Sequence, residues 1–269
     1  MVKKLIKHEF HYYFRTLIIF LPIILVIGLF VRIFSLFNHD FIGYKIIISS
    51  SFLLLYFSSL AIFLFVEILS IVRFYKNMYS SEGYLTFSLP VNTFQLIFSK
   101  LVGSIVSLYI TSIVVDLAWM IAGTNFLNID LSEIALDISE LLEVLNGGHL
   151  ILYSLELIVF TFLVQICNLL IIYACITIGQ TAKKNRILFS VAAYFVYYII
   201  TQVILTFLMV LITILGSFGA LNWIGDFLIS YPYLFFHILF IVLIVITCGM
   251  IVLSYYIIHK IINTRLNLE

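Results

Sequence analysis

Six stretches of this chain are apolar over twenty residues or more, and that leaves little choice of architecture. They fall at roughly residues 17–37, 44–72, 101–123, 150–178, 187–215 and 233–258. A helix needs about 20 residues to cross the hydrocarbon of a bilayer. In that medium every backbone N–H and C=O must find its partner within the protein, so only helices and closed barrels can cross. The runs are continuous rather than alternating, which selects helices. Of the 269 residues, 64% are apolar and only 10% charged, a balance foreign to soluble domains. The predicted fold class is all-α, a single polytopic membrane domain of about six transmembrane helices.

Charge sets the expected orientation. With the N-terminus inside, Lys3, Lys4, Lys7, Arg15, Arg73, Lys76, Lys100, Lys183, Lys184, Arg186, Lys260 and Arg265 share the cytoplasmic side, which is 12 of the 14 Lys and Arg. Only Arg32 and Lys45 fall outside. Positive loops stay in the cytoplasm, so both termini are expected there. The first apolar run is long and lacks a small-residue cleavage site, unlike a secretory signal.

The segments between spans differ in character. Residues 1–15 place Val2, Leu5, Ile6, Phe10, Tyr13 and Phe14 at helical spacing, with Leu17 continuing the row and Lys3, Lys4, Lys7 and His11 mostly off it. This predicts an interfacial helix with its basic side toward headgroups. Residues 125–148 carry Asp130, Glu133, Asp137, Glu140 and Glu143 at three- and four-residue steps, closed by Gly147-Gly148. That is an acidic amphipathic helix, expected outside the cell because its charged face cannot enter hydrocarbon. Residues 216–232 are too apolar for a wet loop and too broken by Gly216, Gly219, Gly225 and Pro232 for a span. They read as an external re-entrant hairpin.

Catalytic motifs are missing. There is no phosphate-binding loop, no zinc-protease pair and no serine-hydrolase elbow, so the chain is not expected to be an enzyme. Cys167, Cys175 and Cys248 lie inside apolar runs, as packing residues rather than a disulfide framework or metal site. No basic surface is present for nucleic acid. Ionisable residues inside spans are costly and mark a partner or water. Arg32, Asp116, Glu156 and His237 all fall within roughly 6–11 Å of the outer boundary at 1.5 Å per residue. They are expected to form a polar layer in which Arg32 neutralises Asp116 or Glu156. Glu67, near the inner end of its span, is expected to bridge to Arg73 or Arg15.

The inner loop at residues 73–100, RFYKNMYSSEGYLTFSLPVNTFQLIFSK, is long and aromatic for a connection. Ser80-Ser81 before Glu82 can start a short helix, Gly83 allows a bend, and Pro90 suits the first turn of the next span. Tyr79, Tyr84, Leu85 and Phe87 are expected to be exposed, a mark of a protein contact. The run YSSEGYLTFSLPVNTFQLIFSK at 79–100 resembles the E-G-Y-L-T-F-x-L-P stretch of small bacterial ABC-2-type permeases. The layout resembles that family too, with its N-terminal connecting helix, six spans, coupling helix after span two and re-entrant helices before span six.

The resemblance implies a separate cytoplasmic ABC ATPase that carries ATP and Mg, docking at Tyr79, Ser81, Glu82, Gly83, Tyr84, Leu85, Phe87 and Pro90. It implies a second permease chain, identical or paralogous, and a place in the bacterial plasma membrane among its lipids. It implies export of a hydrophobic or amphipathic substrate, a peptide first and a lipid or drug second. No cofactor is expected on this chain itself. Two other readings stand beside it. One is an ion- or proton-coupled transporter or channel using Asp116, Glu156 and His237, and the other a non-transporting scaffold or sensor subunit.

Overall fold

The computed structural model describes residues 2–37, 42–88, 90–123 and 150–265. The acidic segment at 125–148 lies outside these. Among the described residues there are eight helices and no strand. They are α1 (Val2–Leu36), α2 (Ile42–Tyr79), α3 (Ser81–Phe87), α4 (Thr93–Ala122), α5 (Leu150–Gly179), α6 (Arg186–Ser217), α7 (Asn222–Ser230) and α8 (Pro232–Arg265). Six of them, all but α3 and α7, are long and apolar enough to cross a membrane. The chain is an all-α, multi-pass membrane protein.

The first expectation to change concerns α1. Instead of a separate interfacial helix and a span, residues 2–36 form one helix of 35 residues, with Pro22 inside it. Nothing between Arg15 and Leu17 breaks helix geometry, and the proline only deprives the Ile18 carbonyl of its usual donor. At 1.5 Å per residue α1 is roughly 52 Å long, against about 30 Å of hydrocarbon. α2, with 38 residues, is similarly long. Both must project well beyond a bilayer core.

The helices divide into two compact units, α1–α4 and α5–α8. In the first, α1 and α4 run parallel in a constant register. Tyr13 Oη shares a 2.9 Å hydrogen bond with Ser104 Oγ, and Lys100 Nζ donates to Glu9 Oε1 at 2.7 Å, each pair 91 residues apart. Higher up, Gly28 lies against the backbone of Ala118; a Cβ there would come within 2.6 Å of the Ala118 carbonyl oxygen. Small residues let two backbones approach this closely. α2 packs antiparallel, and Ile24, Val31, Phe52, Leu55, Ile62, Val115, Ala118 and Ala122 form the core of the three long helices.

In the second unit α5 packs against α6 and α8. Cys167, Ile171 and Cys175 of α5 meet Ala193 and Tyr197 of α6 and Met250 and Ile251 of α8. The expected hydrophobic role of Cys167 and Cys175 holds, whereas Cys248 is exposed. The turn from α5 into α6 passes through Asn185, whose φ of 52° is left-handed. Asparagine tolerates that region better than most side chains. Gly179 and Ser190 sit where the two helices touch, and Ser190 Oγ donates across to the Ile176 carbonyl at 3.3 Å. Within 216–232, α6 runs on to Ser217, a turn follows, and α7 is a nine-residue helix joined to α8 through Tyr231.

Candidate functional site

Glu9 is the only carboxylate of α1, and it points inward. It is 5% exposed, in line with the buried stripe of Tyr13, Leu17, Ile24, Gly28 and Val31. An ionised carboxylate so placed needs partners on every side, and three residues of two neighbouring helices supply them. Lys100 of α4, itself 4% exposed, reaches Oε1 at 2.7 Å. Arg73 of α2 donates through Nε to Oε2 at 3.0 Å. Asn77, one turn further along α2, donates through Nδ2 to Oε1 at 3.2 Å. Tyr12 lies under the Arg73 guanidinium, 4.1 Å from ring centroid to Cζ, a favourable cation–π placement. One buried anion thus ties α1, α2 and α4 together with two cations around it.

The segment after α2 stands on this knot. Ser80 is the N-cap of α3 with extended backbone, as the Ser80-Ser81 signal predicts, although its hydroxyl bonds back to the Lys76 carbonyl rather than forward. The bend falls at Ser80, and Gly83 lies within α3 on its buried side instead of forming a turn. Tyr79 is buried, not exposed, with its ring edge-on to Phe74 at 6.0 Å between centroids. Phe87 is half-buried. Ser81, Glu82, Tyr84 and Leu85 do face outward, Leu85 at 74% exposure. Pro90 lies before α4 rather than in its first turn. The helix is opened instead by a capping box, in which Asn92 and the Gln95 side chain satisfy each other's end of the first turn.

Arg73, one of the two partners expected for Glu67, donates to Glu9. Glu67 sits half-buried on α2, six residues before Arg73, and Arg15 is exposed on α1, six residues after Glu9. The antiparallel run brings those two to the same level. Sequence reasoning missed Glu9, Lys100 and Asn77. Extending the buried stripe of the span backwards, from Val31 through Leu17 and Tyr13, would have reached Glu9.

Of the four polar residues expected within the spans besides Glu67, two meet in the second unit. Glu156 of α5 and His237 of α8 do meet, with His237 Nδ1 2.9 Å from each carboxylate oxygen. Tyr153 stacks on the imidazole at 4.3 Å and 11°, and its hydroxyl donates to the Tyr233 carbonyl at 2.9 Å. Arg32 and Asp116 belong to the first unit, and among the described residues no ion pair joins them to each other. The register explains why. Arg32 lies beside Gly123, whose Cβ would fall 2.8 Å from Arg32 Nη1. Asp116, seven residues earlier on α4, is about 10 Å lower and on an exposed face. Arg32→Gln and Asp116→Asn should therefore act on thermal stability additively, within about 0.5 kcal/mol. A larger coupling in a double-mutant cycle would contradict this register.

Among the described residues no cluster of His, Cys, Asp and Glu could hold a metal ion. No protein-family model, curated protein or solved structure matches the chain.

Proposed function

We propose that this chain is the membrane-spanning permease subunit of an ATP-driven exporter, with α3 as the docking element for a separate cytoplasmic ATPase that carries ATP and Mg. The observation that carries the reading is α3 itself. It is a short helix that keeps Gly83 against the protein and turns Glu82, Tyr84 and Leu85 outward, directly beside the buried Glu9 knot. A force applied to α3 enters α2 at Tyr79 and is shared at once with α1 and α4 through Glu9, Arg73 and Lys100. Two such chains, rocked by ATPase closure, would alternate between inward- and outward-open states by population shift. The substrate class we favour is an amphipathic peptide, then a lipid or drug, exported from a bacterial cell with both termini inside.

The test is copurification from the native host. A soluble ATPase should accompany the chain, and Leu85→Asp or Tyr84→Ala should release it, with thermal stability unchanged in Leu85→Asp, whose side chain is 74% exposed. An intact complex with full ATPase stimulation in both variants would sink the assignment of α3.

A second reading rests on the Glu156–His237 pair. A carboxylate and an imidazole in contact between apolar helices can exchange a proton. Transport by the purified chain alone, driven by a proton gradient and lost in Glu156→Gln, would favour proton coupling over ATP.

A further inference from the structure

The buried knot has a consequence on the opposite side of α1. Because its one carboxylate is turned inward and already neutralised, the outward charge of the first four turns is entirely positive. Lys3, Lys4, Lys7 and Arg15 are all exposed, with no acid of the same helix to offset them. The side chains of Lys4, Lys7, His8, Phe10, His11 and Phe14 line an open hollow of about 490 Å³. The four nitrogen-bearing residues fall at i, i+3, i+4 and i+7, one helical face. Phe10 and Phe14, on the apolar stripe read from the sequence, are 39% and 49% exposed, with stacked rings 6.3 Å apart.

His8 is preset as a donor. Its Nδ1 lies 3.3 Å from Arg73 Nη2. A guanidinium can only donate, so Nδ1 accepts and the ring proton sits on Nε2.

We propose that this face is a binding site for one anionic glycerophospholipid. Its phosphate would be held by Lys4, Lys7 and the imidazoles of His8 and His11. Its acyl chain would lie along Phe10 and Phe14. The two requirements of such a ligand, a negative head and an apolar tail, match the two halves of the hollow. A soluble anion would use only the first. The site is independent of whether α3 docks an ATPase.

The experiment counts lipid bound to the full chain in neutral detergent by native mass spectrometry. Phosphatidylglycerol and phosphatidylcholine are titrated separately, and inorganic phosphate serves as a competitor. Phosphatidylglycerol should be retained in preference to phosphatidylcholine and lost at high salt. Lys4→Gln with Lys7→Gln should weaken it roughly fivefold per lysine removed. The charge-matched control, Lys183→Gln with Lys184→Gln, should leave it unchanged. Equal retention of the two lipids would overturn the proposal. So would an equal loss in the control, which would mean long-range charge rather than a site, or displacement by inorganic phosphate at the lipid's own concentration.

Discussion

Replacing Glu9 by leucine should destabilise the protein by about 3–5 kcal/mol, the usual cost of stranding a buried charge. Lys100, 4% exposed, would lose the carboxylate that lies 2.7 Å from its Nζ. Arg73 fares better, because its side chain is 12% exposed and close to water. Lys100→Met alone should cost less than Glu9→Leu, since the remaining carboxylate keeps Arg73 and Asn77 as donors. The double variant should recover most of the loss, because an apolar pair of similar volume often replaces a buried ion pair without penalty. Unfolding in mixed micelles checks all three. A Glu9→Leu variant that unfolds like the parent would mean that the carboxylate is not held as described.

Gly179→Ala should be the most damaging glycine-to-alanine change among the described residues of the second unit. The added Cβ would lie 2.5 Å from the Ser190 backbone nitrogen and 2.6 Å from its Cα. Backbone atoms early in the second turn of α6 cannot swing aside, so α5 and α6 must separate. Overpacking of this kind typically costs 1–3 kcal/mol, occasionally more. Removing only the hydroxymethyl group with Ser190→Gly should not rescue it, because the main-chain contact remains. Gly249→Ala is the matched control, with nothing within 4 Å of its Cβ. It should be neutral or slightly stabilising, since alanine suits a helix interior better than glycine. Thermal unfolding of the three variants decides the matter, and rescue by Ser190→Gly would place the clash on the side chain instead.

The spans were legible because the demand of hydrocarbon is local. Each stretch must be long and apolar by itself, and all six appear as long helices. What was hidden depends on partners far away in sequence. Glu9 stands among Lys7, His8 and His11 and reads as part of a wet face; only Lys100, 91 residues later, makes that position an interior. Tyr79 looked exposed because the segment after Arg73 reads as a loop, yet α2 continues through it and folds the ring onto Phe74. Glu156 and His237 were identified as candidates, but their pairing with each other depends on how α5 meets α8. Arg32 and Asp116 shared a depth by residue counting, whereas the register of α1 and α4 sets them apart.

That α1 has a single carboxylate also limits how the first unit can move. Slipping α4 by one turn, about 5.4 Å, would carry Lys100 away from Glu9 to face Leu5 or Tyr13. Neither can accept a buried ammonium as an ion pair. Sliding is thus barred by charge as well as by the Gly28–Ala118 contact, which a displaced side chain would block. One ion pair thus fixes the register of α1 against α4, at the end of the unit where α3 follows α2.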